Sequence, residues 1–294
     1  MTTAATILNR ASRQLLSGTV EERNKLAATI NDSATSVVLS YDLGGFRAGS
    51  VFELESELFY VWDANTATKT LTVERGFNGT TAAAHSSGVL ATLSPRFPRT
   101  QMLDSLNADI DDLSSTANGL FKVTALTIAY NGSDRQINLT GATNVIDLID
   151  VKLRYGADDY PIIRNVRLQR GLPTADFASG FSIVFDEPVM AGDLRVQYKT
   201  PFTRASSESS DLTSFCGLPA TCDDLLELGV LLRMMNGREI KRSFIESQGD
   251  TRRPDEVPPG ASRDSIANLL RLRRERIIAE SGRLKAQYPI RFRK

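Results

Sequence analysis

Hydrophobic periodicity changes repeatedly along these 294 residues, and the changes demand a fold with two separate strand-built parts linked by helices. From Thr35 the apolar residues alternate. They are β-branched or aromatic in four runs: Val37 to Tyr41, Val51 to Leu54, Leu58 to Trp62 and Thr70 to Val73. Breaks at Gly44-Gly45, at Glu55-Ser56 and over Asp63 to Lys69 make these runs a compact meander or small barrel, closed by Arg96-Phe97-Pro98. A second block starts at Gly119. Its strands are expected over Lys122 to Tyr130, Gln136 to Leu139, Asp150 to Tyr155, Ile162 to Gln169, Phe181 to Phe185 and Leu194 to Tyr198, a spacing that suits an antiparallel sandwich. Asn131-Gly132 predicts a hairpin between the first two of these strands, and Gly192-Asp193 another between the last two.

Helical spacing fills the remainder. The first thirty residues read as two short helices broken at Gly18. The second runs over Val20 to Ile30, capped by Thr19 with Glu22 three positions on, and carries Leu26, Ala27 and Ile30 on one face. Thr100 is a cap for a helix whose Leu103, Leu106, Ile110 and Leu113 form a narrow seam of coiled-coil type, facing its own subunit or the next. A serine-rich connector covers Thr203 to Thr221. Then comes a helix over Asp223 to Met235, apolar nearly all round and ended by Gly237. A final helix over Arg263 to Lys285, capped by Ser262, sets Ile266, Leu269, Leu270, Ile277 and Leu284 near one face. Arg271, Arg273, Arg274, Arg276 and Arg283 stand on the other. The expected class is α+β, mostly β, in three parts: residues 1–118 with helices around a small β domain, 119–202 as the sandwich, and 203–294 as a linker and helical segment with a basic arm.

Charge is distributed unevenly. The first hundred residues balance, residues 101–237 are net acidic by seven, and residues 238–294 are net basic by the same amount. Such a split favours head-to-tail contact between copies, or docking of the basic end on an acidic partner, with a solvated basic helix as the plainer reading. Clustered arginines also raise non-specific contact with nucleic acid, though no helix-turn-helix, zinc finger or RNP signature accompanies them. No apolar run is long enough to cross a bilayer, and the first residues lack a basic region followed by a long apolar one, so no membrane role and a cytosolic origin are expected.

Signs of catalysis are few. His85 is the single histidine, which excludes a histidine metal cluster and leaves one candidate for any triad, and its small-residue loop favours a structural role. Phosphate-loop, dinucleotide and nucleophile-elbow patterns do not occur. Cys216 and Cys222 lie six apart with no second pair, so free thiols are expected. The acidic groups Glu53/Glu55/Glu57, Asp109/Asp111/Asp112 and Asp158/Asp159 could serve glycoside hydrolysis but suit solvated surfaces better. The expectation is no enzyme, no cofactor and no metal.

The stretch Glu57 to Val61, followed by Leu71 to Gly88 with its VxRGxxGTxxxxHxxG pattern (Val73, Arg75, Gly76, Gly79, Thr80, His85, Gly88), resembles a segment of tailed-bacteriophage neck and tail virion proteins. There Gly76 and Gly79 would supply a tight turn and Arg75 would tie the loop. The likeness continues through Phe181 to Phe202, Leu228-Gly229, Pro258-Pro259-Gly260 and Tyr288-Pro289, and is closest to head-to-tail connector (adaptor) proteins. It implies a homo-oligomeric ring of about twelve subunits in the virion neck, between the portal and a downstream neck or tail protein, with DNA passing through the lumen. Assembly contacts are then expected from Arg271, Arg273, Arg274, Arg276, Arg291, Phe292 and Arg293, with Leu103, Leu106, Ile110 and Leu113 as a helix seam. Rival readings are another virion subunit (tail, baseplate, fibre-attachment or decoration) and, from a different class, a cell-wall glycosidase.

Overall fold

A computed structural model describes residues 2–154, 161–246 and 261–289, the side chains of residues 236–246 and 261–265 excepted. Asp158, Asp159, Arg291, Phe292 and Arg293 lie outside the described residues. The class is α+β, as expected.

The N-terminal helix α1 (Ala4–Leu16) starts because the Thr3 hydroxyl accepts from the Thr6 N–H, and buries Ala4, Ile7, Leu8 and Ala11, spaced as one helical stripe. Ser17 at φ 44° and Gly18 at φ 82° then turn the chain. The second helix expected over Val20 to Ile30 does not form. Glu22 is no cap: its carboxylate accepts from the Gly45 N–H at 2.7 Å. The segment instead forms β1 (Arg23–Lys25), where the buried Asn24 amide donates to the carbonyls of Tyr41 and Asp42, and Leu26 and Ile30 enter a β core. Tertiary pairing overrides the local helical pattern here.

Five further strands complete that unit: β2 (Ser36–Val38), β3 (Val51–Leu54), β4 (Glu57–Asn65), β5 (Thr70–Glu74) and β6 (Leu90–Leu93). Of these, β6 lies outside the four alternating runs from which the unit was expected. The antiparallel order is β1-β6-β3-β4-β5-β2, and a bridge between Leu26 and Leu39 brings its two ends together, so the sheet curls into a small barrel. Phe46, Phe52 and Phe59 fill it, the last two stacked at 4.8 Å.

The second β unit contains β7 (Lys122–Tyr130), β8 (Gln136–Asn138), β9 (Asp147–Leu153), β10 (Val166–Arg170), β11 (Phe181–Phe185) and β12 (Gly192–Thr200). It is a sandwich of two three-stranded sheets, β7-β12-β9 and β10-β11-β8, around Leu139, Val151, Ile183, Phe185, Leu194 and Val196. Neither expected hairpin exists. β7 pairs along its whole length with β12, and β8 with β11. The Asn131 side chain accepts from the N–H groups of Ser133 and Asp134, so Asn131-Gly132 makes an Asx corner that carries the chain from one sheet to the other. Gly192 likewise opens β12 after a crossing between sheets.

Three more helices join α1: α2 (Arg99–Leu113), α3 (Asp223–Glu246) and α4 (Ala261–Gln287). They share one apolar core, so the helices before and after the barrel belong with the C-terminal ones, and the parts of the chain are not sequential blocks. Thr100 is not a cap; α2 starts at Arg99, whose N–H donates to the barrel's Glu53 at 2.6 Å. The seam residues Leu106, Ile110 and Leu113 are fully buried against α1 and α3, and Leu103 packs at the edge of that core. They serve this subunit, and a neighbouring copy would find no seam to grip. Gly237 does not end α3, which runs on to Glu246, and Ser262 lies inside α4.

Candidate functional site

The patterned segment closes one end of the barrel around a single carboxylate. Glu57, 1% exposed at the start of β4, accepts from five donors. Arg75, two residues past Val73 in β5, grips it with both sides of its fork, Nε to Oε1 at 2.8 Å and Nη2 to Oε2 at 2.9 Å. The N–H groups of Gly76 and Ala83 add 3.0 Å bonds, and His85 Nε2 lies 2.9 Å from Oε2. The rest of the Arg75 guanidinium donates to the carbonyls of Asn31, Ala34 and Ala83, and its plane lies 4.8 Å from the centre of the Phe59 ring.

Each remaining pattern residue has a geometric duty. Gly76 sits at φ 61°, where a Cβ would come within 2.8 Å of the Thr80 carbonyl oxygen. The Thr80 hydroxyl accepts from the Leu58 N–H at 3.1 Å and donates to the Phe77 carbonyl. Gly79 and Gly88 hold φ of 81° and 85°, and the Gly88 N–H donates to Leu26. His85 Nδ1 faces Glu55 at 2.8 Å while its backbone bridges to Ile30. Burial acts to raise the Glu57 carboxyl's pKa, but the bonds from Arg75, Ala83, His85 and Gly76 outweigh it and hold the pKa below the ordinary glutamate value. Arg75, Gly76, Gly79, Thr80, His85 and Gly88 thus cooperate. Glu57, which sequence reasoning placed among surface acids, is their hub; its inward register on β4 was the available signal.

Such a cluster can hold a shape and cannot readily do chemistry. Its carboxylate and imidazole are 1% and 2% exposed and turned on each other and on the backbone. Among the described residues, no group of three or more His, Cys, Asp or Glu could hold a metal ion, and no helix is long and apolar enough to cross a membrane. Cys216 and Cys222 are free and buried, as expected.

The second cluster fastens α4. Arg273 Nη2 donates to Asp109 at 2.7 Å and to Asp112 at 2.8 Å, both on α2, while Arg276 forks onto Asp224 at the start of α3. Arg283 pairs with Glu280 on its own helix, and Arg271 with Glu275. Arg274 alone of the expected interface arginines is exposed with no ion pair among the described residues. The basic face foreseen as an assembly surface is therefore largely occupied: Arg273 and Arg276 meet acidic partners inside the same chain. Asp109 is 1% exposed against Gly229, where a Cβ would lie 2.1 Å from the carboxylate, so glycine lets α2 and α3 approach. Burial pushes Asp109 up to about 6 despite Arg273 and Arg233.

A third polar feature links the barrel to the helices. The Glu53 carboxyl that receives the Arg99 N–H lies in a groove lined also by Arg13, Leu90, Arg99 and Glu208. Burial pushes it up to about 8, so it carries a proton at neutral pH. No protein-family model matches the chain, and no curated protein matches it.

Proposed function

We propose that this chain is a structural subunit of a tailed-phage virion, a head-to-tail connector that forms a ring between portal and tail and helps to retain and conduct DNA. The observation that supports the reading is the fate of the VxRGxxGTxxxxHxxG segment. Its Arg75, Glu57 and His85 spend their polar groups on one another and on loop backbone, as befits a module whose product is a rigid shape. The mixed barrel, sandwich and helical body adds broad surfaces for contact with neighbours. In this reading the residues after Tyr288, among them Arg291, Phe292 and Arg293, meet the portal.

The test is the mass of the purified chain alone and mixed with the portal and tail proteins encoded beside it, with and without residues after Tyr288. A ring-sized complex that forms with portal and is lost on truncation is expected. A chain that stays monomeric with every partner would sink the reading, and trimers in negative stain would replace it with a baseplate or fibre-attachment subunit.

A further inference from the structure

The most conditional attachment in the molecule is that of α4. Of its 27 residues, Ile277 and Leu284 are the buried aliphatic anchors among those described, whereas Leu270, Leu272 and Ile278 are 52%, 43% and 63% exposed. Two buried aliphatic side chains are a modest hold for so long an element. Beyond the partly buried Ile266, Leu269 and Tyr288, the attachment is polar: Arg273 to Asp109 and Asp112, Arg276 to Asp224 and the Thr221 carbonyl, Glu280 to Thr221. Asp109 Oδ2 and Arg273 Nε, though buried, have no partner, so this pair fixes position more than it adds strength. The cradle on α2 and α3 therefore recognises a helix by chemistry, two aliphatic anchors seven residues apart flanked by arginines. Nothing in that recognition requires the helix to come from the same chain. The 14 residues numbered 247–260 separate α3 from α4 in the sequence, and a chain of that length can span at most roughly 46–50 Å.

We propose that α4 is an exchangeable element: it leaves its own cradle and docks, through the same ion pairs and aliphatic anchors, in the α2–α3 cradle of a second copy. The inference rests on the self-assembling reading above and supplies its joint. Exchange of an identical element costs little, because the ion pairs and apolar packing broken within one chain re-form between two.

Cys222 is a built-in reporter. It is fully buried at the start of α3, with Glu280 and Arg283 of α4 beside it. One full-length chain carries Arg276→Glu with Cys222→Ser; the other carries Asp224→Arg with Cys216→Ser, leaving Cys222 as its lone thiol. Each chain alone opposes like charges at the half-exposed Arg276–Asp224 contact. The Asp224→Arg chain alone should alkylate at Cys222 about tenfold faster than a Cys216→Ser control, since an exposed pair replaced by repulsion shifts a local equilibrium by roughly that factor. Adding the Arg276→Glu chain restores an opposite-charge pair only between chains, so Cys222 should become protected and the mass should double. Unchanged circular dichroism checks the fold; if either variant has lost it, the chain that keeps Cys222 carries Arg276→Gln with Cys216→Ser and its partner carries Asp224→Asn with Cys222→Ser, so that mixing restores Arg276 to Asp224 only at the cradle holding Cys222. Cys222 that stays inert in the Asp224→Arg chain, or that gains no protection on mixing, overturns the proposal. Rings of wild-type chain without exchange would sink this inference alone, whereas exchange in a chain that never rings with portal would sink the connector reading alone.

Discussion

Replacing Glu57 by Gln should cost the barrel about 3 kcal/mol, the lower end of what is lost when one member of a buried ion pair is removed. The magnitude follows from the donors around it. Oε1 accepts from Arg75 Nε and the Gly76 N–H, and Oε2 from Arg75 Nη2, the Ala83 N–H and His85. A carboxamide keeps one oxygen and turns an NH2 towards donors at the other, so two or three bonds become donor–donor contacts and Arg75 keeps an uncompensated charge at 7% exposure. Glu57→Ala should lie nearer 5 kcal/mol, since no acceptor remains. The assay is urea unfolding followed by the emission of Trp62, the only tryptophan, which lies on β4. The sign of the pH effect is a second check. Glu57's folded value lies below its unfolded 4.5, so its contribution is complete above pH 4.5 and is lost as pH falls through the folded value. The difference between wild type and Glu57→Gln should therefore shrink in acid. A loss under about 1 kcal/mol at pH 7, or a difference that widens in acid, would refute the hub assignment.

Glu53 should act with the opposite sign: raised from 4.5 to about 8, it favours the fold below pH 4.5 and withdraws about 4–5 kcal/mol as pH rises to 8, whereas Glu53→Gln should be flat over that range in urea titrations. Gly229→Ala should destabilise the helical body by about 1–3 kcal/mol by driving a methyl into Asp109, and Asp109→Ala in the same chain should recover part of the loss in thermal melts. Gly76→Ala combines a positive φ with a 2.8 Å contact and should cost about 1–3 kcal/mol, against a few tenths for Gly18→Ala beyond its own φ strain, because nothing lies within 4 Å there. No hydrolysis of peptidoglycan is expected from the wild-type chain; release of reducing sugar that Glu57→Gln abolishes without unfolding would restore the glycosidase reading.

Strand content was legible wherever alternation and burial agree, as in Thr70–Glu74 and Leu194–Tyr198, because period two leaves a barrel or sandwich face little freedom. Partnership was not. Asn131-Gly132 has the composition of a hairpin, but β7 gains a nine-residue ladder with β12, and no local signal encodes a strand arriving 62 residues later. Residues 20–30 failed for the same reason: Asn24, Leu26 and Ile30 also fit a helix, and only the barrel's need for closure makes them extended. The pattern residues were legible as a group. Their hub was hidden because Glu57 stands beside Glu53 and Glu55, and three acids two apart look alike until strand register turns Glu57 into the barrel and Glu53 towards α2.

Charge separation along a chain does not by itself predict a charged partner. Residues 101–237 carry the net acidity and residues 238–294 the net basicity, yet Asp109, Asp112 and Asp224 meet Arg273 and Arg276 inside one subunit, the Asp109 pair buried and the Asp224 pair half-exposed. Among the described residues of α4, Arg273 and Arg276 are thus spent within the chain, whereas Arg274 is exposed without an ion pair, with Leu270 and Ile278 four residues to either side on the same stripe. That residue of unspent surface is an aliphatic strip with a basic centre, suited to an interface core with one charged anchor and unsuited to tracking a phosphate backbone, which needs several free cations in a row. DNA in contact with Arg273 or Arg276 would have to displace aspartates already in place.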